Sequence, residues 1–148
     1  MDVKISNASS RDLPDILELE NKFIGLETSN TLQRAISNHA FHYIIGETDG
    51  EFAGYCCYSL IADEAEIISI AVKEKFRRKK IAERLINFAI EEIKTNGGRS
   101  IFLEVRQSNT PAICLYKKAG FKHISERKEY YDCGGGRREN ALVFKLDC

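Results

Sequence analysis

The chain has 148 residues, 43% of them hydrophobic, and its 22 Lys plus Arg are balanced by 22 Asp plus Glu. This length and apolar content suit one domain over residues 1–148 with a single core. There is no global basic excess of the kind that advertises nucleic-acid binding, and no apolar run approaches membrane-spanning length.

"VKIS" predicts a first strand. In "SSRDLPDILELENKF", Ser9 or Ser10 stands as N-cap while Leu13, Ile16, Leu17 and Phe23 fall on one helical face. "NTLQRAIS" predicts a second short helix capped by Asn30. "FHYIIGET" and "FAGYCCYSLI" flank Asp49–Gly50, a hairpin signal, and "EAEIISIAV" extends them into an antiparallel meander.

The period then changes. "IAERLINFAIEEIKTNGG" places Ile81, Leu85, Phe88, Ala89 and Ile93 at helical spacing and stops at Gly97–Gly98. "SIFLEVR" is a strand, "NTPAICLYKKAG" a short helix capped by Asn109, and "FKHISERKEYY" and "ALVFKLD" two last strands. Strand, long helix, strand implies a parallel crossover joined to antiparallel neighbours. The expected fold is therefore a mixed α/β sheet of about seven strands, with a central parallel pair and about four helices.

The cysteines Cys56, Cys57, Cys114, Cys133 and Cys148 are odd in number, include an adjacent pair and lack CxxC spacing. That fits neither a disulfide framework nor a zinc site. "MDVKISNASS" has no apolar core for a signal peptide, so a reduced, cytoplasmic protein is expected. His39 and His42 lack the third His, Cys or HExxH pattern of a metal centre, and no metal is expected.

Charge is unevenly spread. Lys73 to Lys80 holds six cations and one acid, whereas Tyr43 to Val72 holds six acids and neither Lys nor Arg. In "FRRKKIAERL" four cations run into a helix N-terminus, where the backbone dipole disfavours them unless an anion sits among them. Strand, cationic turn and helix start together make an anion site, and on a neutral protein a small ligand suits it better than a long polyanion.

"IAVKEKFRRKKIAERLI" resembles motif A of the GNAT acetyltransferases, the R/Q-x-x-G-x-G/A loop that wraps the pyrophosphate of acetyl-coenzyme A. Arg77 takes its first position and Ala82 its last, with Arg78, Lys79 and Ile81 between them; Lys80 stands where the family usually has glycine. "FLEVRQSNTPAICLYKKAGF" and "YYDCGGGRRENALVFKL" are similar to segments of the bacterial ribosomal-protein-alanine N-acetyltransferases (RimI-like) and their relatives that acetylate protein N-termini. The likeness is dense from about Asp63 onward; earlier, "KFIGLETSN" lacks the apolar-Pro-Trp stretch usual in those enzymes.

The resemblance implies a GNAT fold, acetyl-coenzyme A as cosubstrate without a metal, and a protein N-terminus as acceptor, with an N-terminal Ala of a ribosomal protein as the specific expectation. A lysine side chain or small amine is the alternative acceptor. It also implies roles. Glu104, mid-strand in "IFLEVR", would be the general base, where composition alone offers a Glu paired to Arg106. Glu66, on the strand before motif A, is a competing or relaying base beside the acceptor. Tyr116 would protonate the departing thiolate as well as touch the coenzyme. Asn109 would contact the coenzyme in addition to capping its helix. Backbone groups of Ile70, Ala71 and Val72 would pair with the pantetheine arm, with the Val72 N–H polarising the thioester oxygen. Tyr131, before the Gly134–Gly136 hairpin loop, would meet the acceptor. Two other classes remain open: a nucleic-acid module using "KEKFRRKK", and a coenzyme-binding protein without turnover.

Overall fold

The computed structural model describes residues 2–23 and 41–148. The helix expected over "NTLQRAIS" and the side chain of His39 lie outside these residues. Seven strands are described: β1 (Val3–Asn7), β2 (Phe41–Thr48), β3 (Glu51–Ile61), β4 (Glu64–Val72), β5 (Ser100–Arg106), β6 (Lys122–Asp132) and β7 (Arg138–Asp147). The helices are α1 (Leu13–Phe23), α2 (Ile81–Thr95) and α3 (Thr110–Lys118), and short 3-10 turns cover Ser10–Asp12 and Glu74–Phe76.

The strands form one sheet in the order β1-β2-β3-β4-β5-β7-β6. Every pairing is antiparallel except β4 with β5. Local chemistry explains several boundaries. Asp49 and Gly50 both take positive φ, as a two-residue hairpin turn between right-twisted strands requires. Before α1, the Asp12 carboxylate accepts from the Ser9 N–H and hydroxyl. Gly97 turns left-handed after α2, and the Gly98 N–H donates to the Ile93 carbonyl, closing the helix where the two glycines foretold it.

The sheet is covered on both faces. Ile81, Leu85, Ile86, Ala89, Ile90 and Ile93 of α2 are buried. They join a cluster with Ile44, Cys56, Tyr58, Ala65 and Ile67 of the sheet. Each Leu or Ile so buried contributes about 1.5–3 kcal/mol relative to exposure. On the opposite face Ile16 and Leu19 of α1 pack with Ile45, Phe52, Tyr55 and Cys57. The adjacent Cys56 and Cys57 thus point to opposite sides, which accounts for the unbroken apolar run of β3.

Candidate active site

The crossover leaves β4 and β5 in register only at Glu64–Ser100, Ala65–Ile101 and Glu66–Phe102. Past Glu66 the two strands no longer pair. One reason lies on β4: its register against β3 shifts between Cys57 and Tyr58, so Ile68 has no partner there. This bulge inverts the alternation, and Ala65 and Ile67 before it share the α2-side core with Ile70 and Val72 after it.

Beyond the bulge the ladder has a definite phase. Lys73 N–H donates to the Ala53 carbonyl, so Tyr55–Ala71 is also a bonded pair while Gly54–Val72 and Cys56–Ile70 are not. Backbone groups of Ile70 and Val72 therefore face the gap left by β5, and those of Ala71 face β3. Gly54 lets the strands approach this closely, since a Cβ there would lie 2.5 Å from the Ala71 carbonyl oxygen.

The cationic turn closes one end of this gap. Arg77 Nε donates to the Val72 carbonyl at 3.4 Å. Arg78 and Lys80 both adopt left-handed backbone, with φ of 64° and 62°. Lys80 is the N-cap of α2 and makes no side-chain cap. The first amides of that helix, including Ile81 and Ala82, thus have no partner within it. Lys80 keeps the backbone that a glycine would adopt, at a conformational cost of about 1–2 kcal/mol. Not all the local cations serve the turn: Lys73 and Lys75 pair with Glu51, while Lys75 and Lys79 lie over the Phe76 ring.

A groove of about 410 Å³ opens on the α1 side of the sheet where the paired stretch of β4 and β5 ends. Glu64, Glu66, Glu104 and Arg127 line it with Phe102 and Val143. Glu104 does not pair with Arg106, the partner composition suggests: Arg127 Nε donates to its Oε1 at 2.8 Å. Arg106 instead meets Glu139 at 3.4 Å and stacks 4.4 Å from the centre of the Tyr131 ring. Burial raises the Glu66 carboxyl above its ordinary value, the negative Glu104 raises it further, and Arg127 pulls the other way.

Tyr116 is 6% exposed and packs edge-on to Phe121 at 5.9 Å. Burial raises its phenol, and the nearby Cys56 and Tyr131 add to the shift. Those groups belong to β3 and β6, and Tyr116 itself lies in the core cluster that Cys56 shares. Asn109 caps α3 through Oδ1, which accepts from the Ala112 N–H at 3.3 Å. The Tyr131 phenol is likewise raised, chiefly by burial and then by Glu104.

Sequence reasoning missed three groups. Arg127 carries no periodic or motif signal, because its partner lies two strands away across β7. The β6–β7 register breaks between Arg127 and Tyr131; there Arg138 donates to the Glu129 and Tyr130 carbonyls, and Glu129 N–H donates to the Asn140 side chain. This staple aims the two tyrosines. On the α1 side, buried Glu20 accepts from the Ser69 hydroxyl at 3.1 Å, and the Tyr55 hydroxyl lies 2.7 Å from Ser69. Ser69 has one proton to give, so Tyr55 is the donor to it.

Among the described residues, no three His, Cys, Asp or Glu side chains gather as a metal centre, and no helix is long and apolar enough to cross a membrane.

Residues 10–121 match the acetyltransferase (GNAT) family. The ribosomal protein bS18-alanine N-acetyltransferase of Escherichia coli is 30% identical over 144 residues, 96% of this chain and 95% of that one. Its counterpart in Haemophilus ducreyi is 39% identical over 100 residues, 68% of each chain. The crystal structure of the Escherichia coli ribosomal-protein-S18-alanine N-acetyltransferase superposes with a TM-score of 0.90 at 27% identity, covering 99% of this chain and 94% of that one. The likeness read from motif A and from "FLEVRQSNTPAICLYKKAGF" thus extends over nearly the whole length. With a family match across residues 10–121 and relatives this similar along most of its length, the chain belongs to the acetyltransferase (GNAT) family.

Proposed function

We propose that this protein transfers an acetyl group from acetyl-coenzyme A to the N-terminal α-amine of a protein, with an Ala-initiated ribosomal protein as the leading acceptor. The observation that carries this reading is the gap between β4 and β5, with a cationic, uncapped helix start at one end and an acidic groove at the other. One end suits phosphate and the other an ammonium. The named activity of the relatives supports the acceptor.

Arg77, Arg78, Lys79, Lys80 and the first amides of α2, including Ile81 and Ala82, would hold the pyrophosphate. The outward backbone groups of Ile70 and Val72 would hold the pantetheine arm, with Ala71 between them and Asn109 and Tyr116 alongside. When bound, the coenzyme supplies an activated acetyl thioester.

Glu104 accepts a proton from the acceptor ammonium, with Glu66 beside it. An α-amine at about 7.7–8.0 needs far less driving force than a lysine at about 10.4. The Val72 N–H faces the gap and is the donor for negative charge developing on the thioester oxygen. Tyr116, kept protonated by burial, gives its proton to the leaving sulfur. Tyr131 closes over the acceptor. Direct attack in a ternary complex needs only that the two substrates be held together. A cytoplasmic location follows from a ribosomal acceptor.

The test is thiol release from acetyl-coenzyme A against peptides varied at their first two residues, with lysine and spermidine as competing amines. Turnover confined to lysine or spermidine would replace the acceptor assignment. Coenzyme binding by calorimetry without any turnover would reduce the protein to a coenzyme binder.

A further inference from the structure

Glu104 is already occupied by a cation of the protein's own. Arg127 Nε sits 2.8 Å from Glu104 Oε1, on the wall of the groove that also contains Glu64 and Glu66. Three carboxylates and one guanidinium leave this lining net negative, which favours a second cation. An arriving ammonium would compete with Arg127 for the same carboxylate charge.

We propose, resting on the acetyl-acceptor reading above, that Arg127 holds the seat at Glu104 that the acceptor's ammonium takes over, making it a positioning residue that sets how readily an amine enters. Three features support an exchange. The Arg127 side chain is 58% exposed against 23% for Glu104, and an ion pair so open to water is weak. A second seat is at hand, since the guanidinium carbon already lies 5.4 Å from the centre of the Tyr130 ring. The strand carrying Arg127 loses register immediately after it, so its side chain is not locked by a regular ladder.

The groups facing the Glu104–Arg127 pair are Glu64 and Glu66 from β4 and Tyr130 and Tyr131 from β6. Removing the guanidinium frees the seat and deepens the negative potential. It also withdraws the one positive charge that opposes protonation of Glu66. Acceptor affinity and the acid side of the pH profile should therefore move in opposite senses for activity.

Arg127→Met, which keeps an apolar stem, is expected to lower KM for an Ala-initiated peptide at least threefold and leave KM for acetyl-coenzyme A unchanged. The acid limb of kcat/KM should shift to higher pH, and Arg127→Lys should restore both quantities. An unchanged or higher peptide KM in Arg127→Met overturns the proposal. A second measurement needs no variant: the Arg127 Nε resonance of the wild-type protein is titrated with the peptide and with its N-acetylated form. Displacement by the free amine alone supports the exchange; equal response to both, or none, overturns it. Should wild-type protein turn over only lysine or spermidine, the acceptor assignment fails while the same KM comparison, made with that amine, still decides the role of Arg127. Should no amine turn over, the resonance titration decides it.

Discussion

Glu66 of β4 and Phe102 of β5 are the last residues of the parallel ladder to face each other. The acidic groove straddles this pair, with Glu64 on the side where the sheet is continuous and Glu104 two residues past it. On the other side the strands part, and Ile70 and Val72 turn their backbone groups to the opening, with the Val72 carbonyl held by Arg77 Nε. The proposed base and the proposed coenzyme arm thus meet at one boundary in the sheet.

Glu104→Gln is expected to reduce kcat/KM by about 10²–10⁴, the usual scale of general-base catalysis, and Glu66→Gln by less. A carboxyl must be ionised to accept a proton, so activity falls as pH drops through its pKa. Glu66 is raised partly by the charge of Glu104. In Glu104→Gln that contribution disappears, and the acid limb of the residual activity should move to lower pH. Steady-state thiol release across pH 5–9 checks this; full activity in Glu104→Gln would reject the assigned role.

Tyr116→Phe keeps the edge contact with Phe121 and the burial, so thermal stability should change by no more than about 1 kcal/mol. The expected loss is in kcat, about 10²-fold, with KM for acetyl-coenzyme A near wild type. Because the phenol is raised above its ordinary value of 10.0, wild-type activity should show no alkaline limb from Tyr116 below that pH. A loss of coenzyme affinity with kcat intact would make Tyr116 a coenzyme-binding residue and reject its role as the acid.

Lys80→Gly separates backbone from charge. Relief of the left-handed strain, about 1–2 kcal/mol, is offset by the extra freedom of glycine in the unfolded chain, about 0.4–1 kcal/mol. A rise in Tm of about 1–3 °C is expected. Lys80→Ala retains the strain and loses the cation; its coenzyme affinity should weaken by about two- to fivefold. Glycine should stay at or above the alanine variant in affinity. A tenfold loss in Lys80→Gly alone, by calorimetry, would show that the turn depends on the lysine itself.

Glu20 is 2% exposed, and burial raises its carboxyl above the ordinary 4.5 despite the hydrogen bond from Ser69. The folded state therefore holds this proton more tightly than the unfolded chain. Stability from this group is complete below the unfolded value and declines as pH rises from there to the folded value. Glu20→Gln, which can still accept from Ser69, should stabilise the protein more at pH 7 than at pH 4. Urea unfolding at both values measures this; an equal effect at the two would place the buried charge elsewhere.

Much of the fold was legible because periodicity reports burial. The switch from alternating strands to the Ile81–Ile93 stripe and back located the crossover, and Asp49–Gly50 and Gly97 marked their turns through backbone conformations that few residues adopt. Motif spacing also placed Arg77 to Ala82 at a helix start and Asn109 at a cap. By contrast, nothing along β4 announced that Ile68 would be passed over by β3. That bulge reverses which side chains face which helix, and its position depends on how two strands register.

The chemistry of single residues divides in the same way. From sequence alone come the identities that the proposed chemistry calls on: two acids near a crossover, a tyrosine on the following helix, a cluster of cations at a helix N-terminus. Their environments were decided by the folded sheet. Glu104 and Arg127 meet only across β7, which pairs with both β5 and β6, and Tyr116 is buried only once its helix packs into the core cluster beside Phe121. Local patterns fix which groups a segment offers, since those depend on residues a few positions apart. Which groups meet, and what charge each then carries, depends on long-range pairing and desolvation that exist only once the sheet has closed.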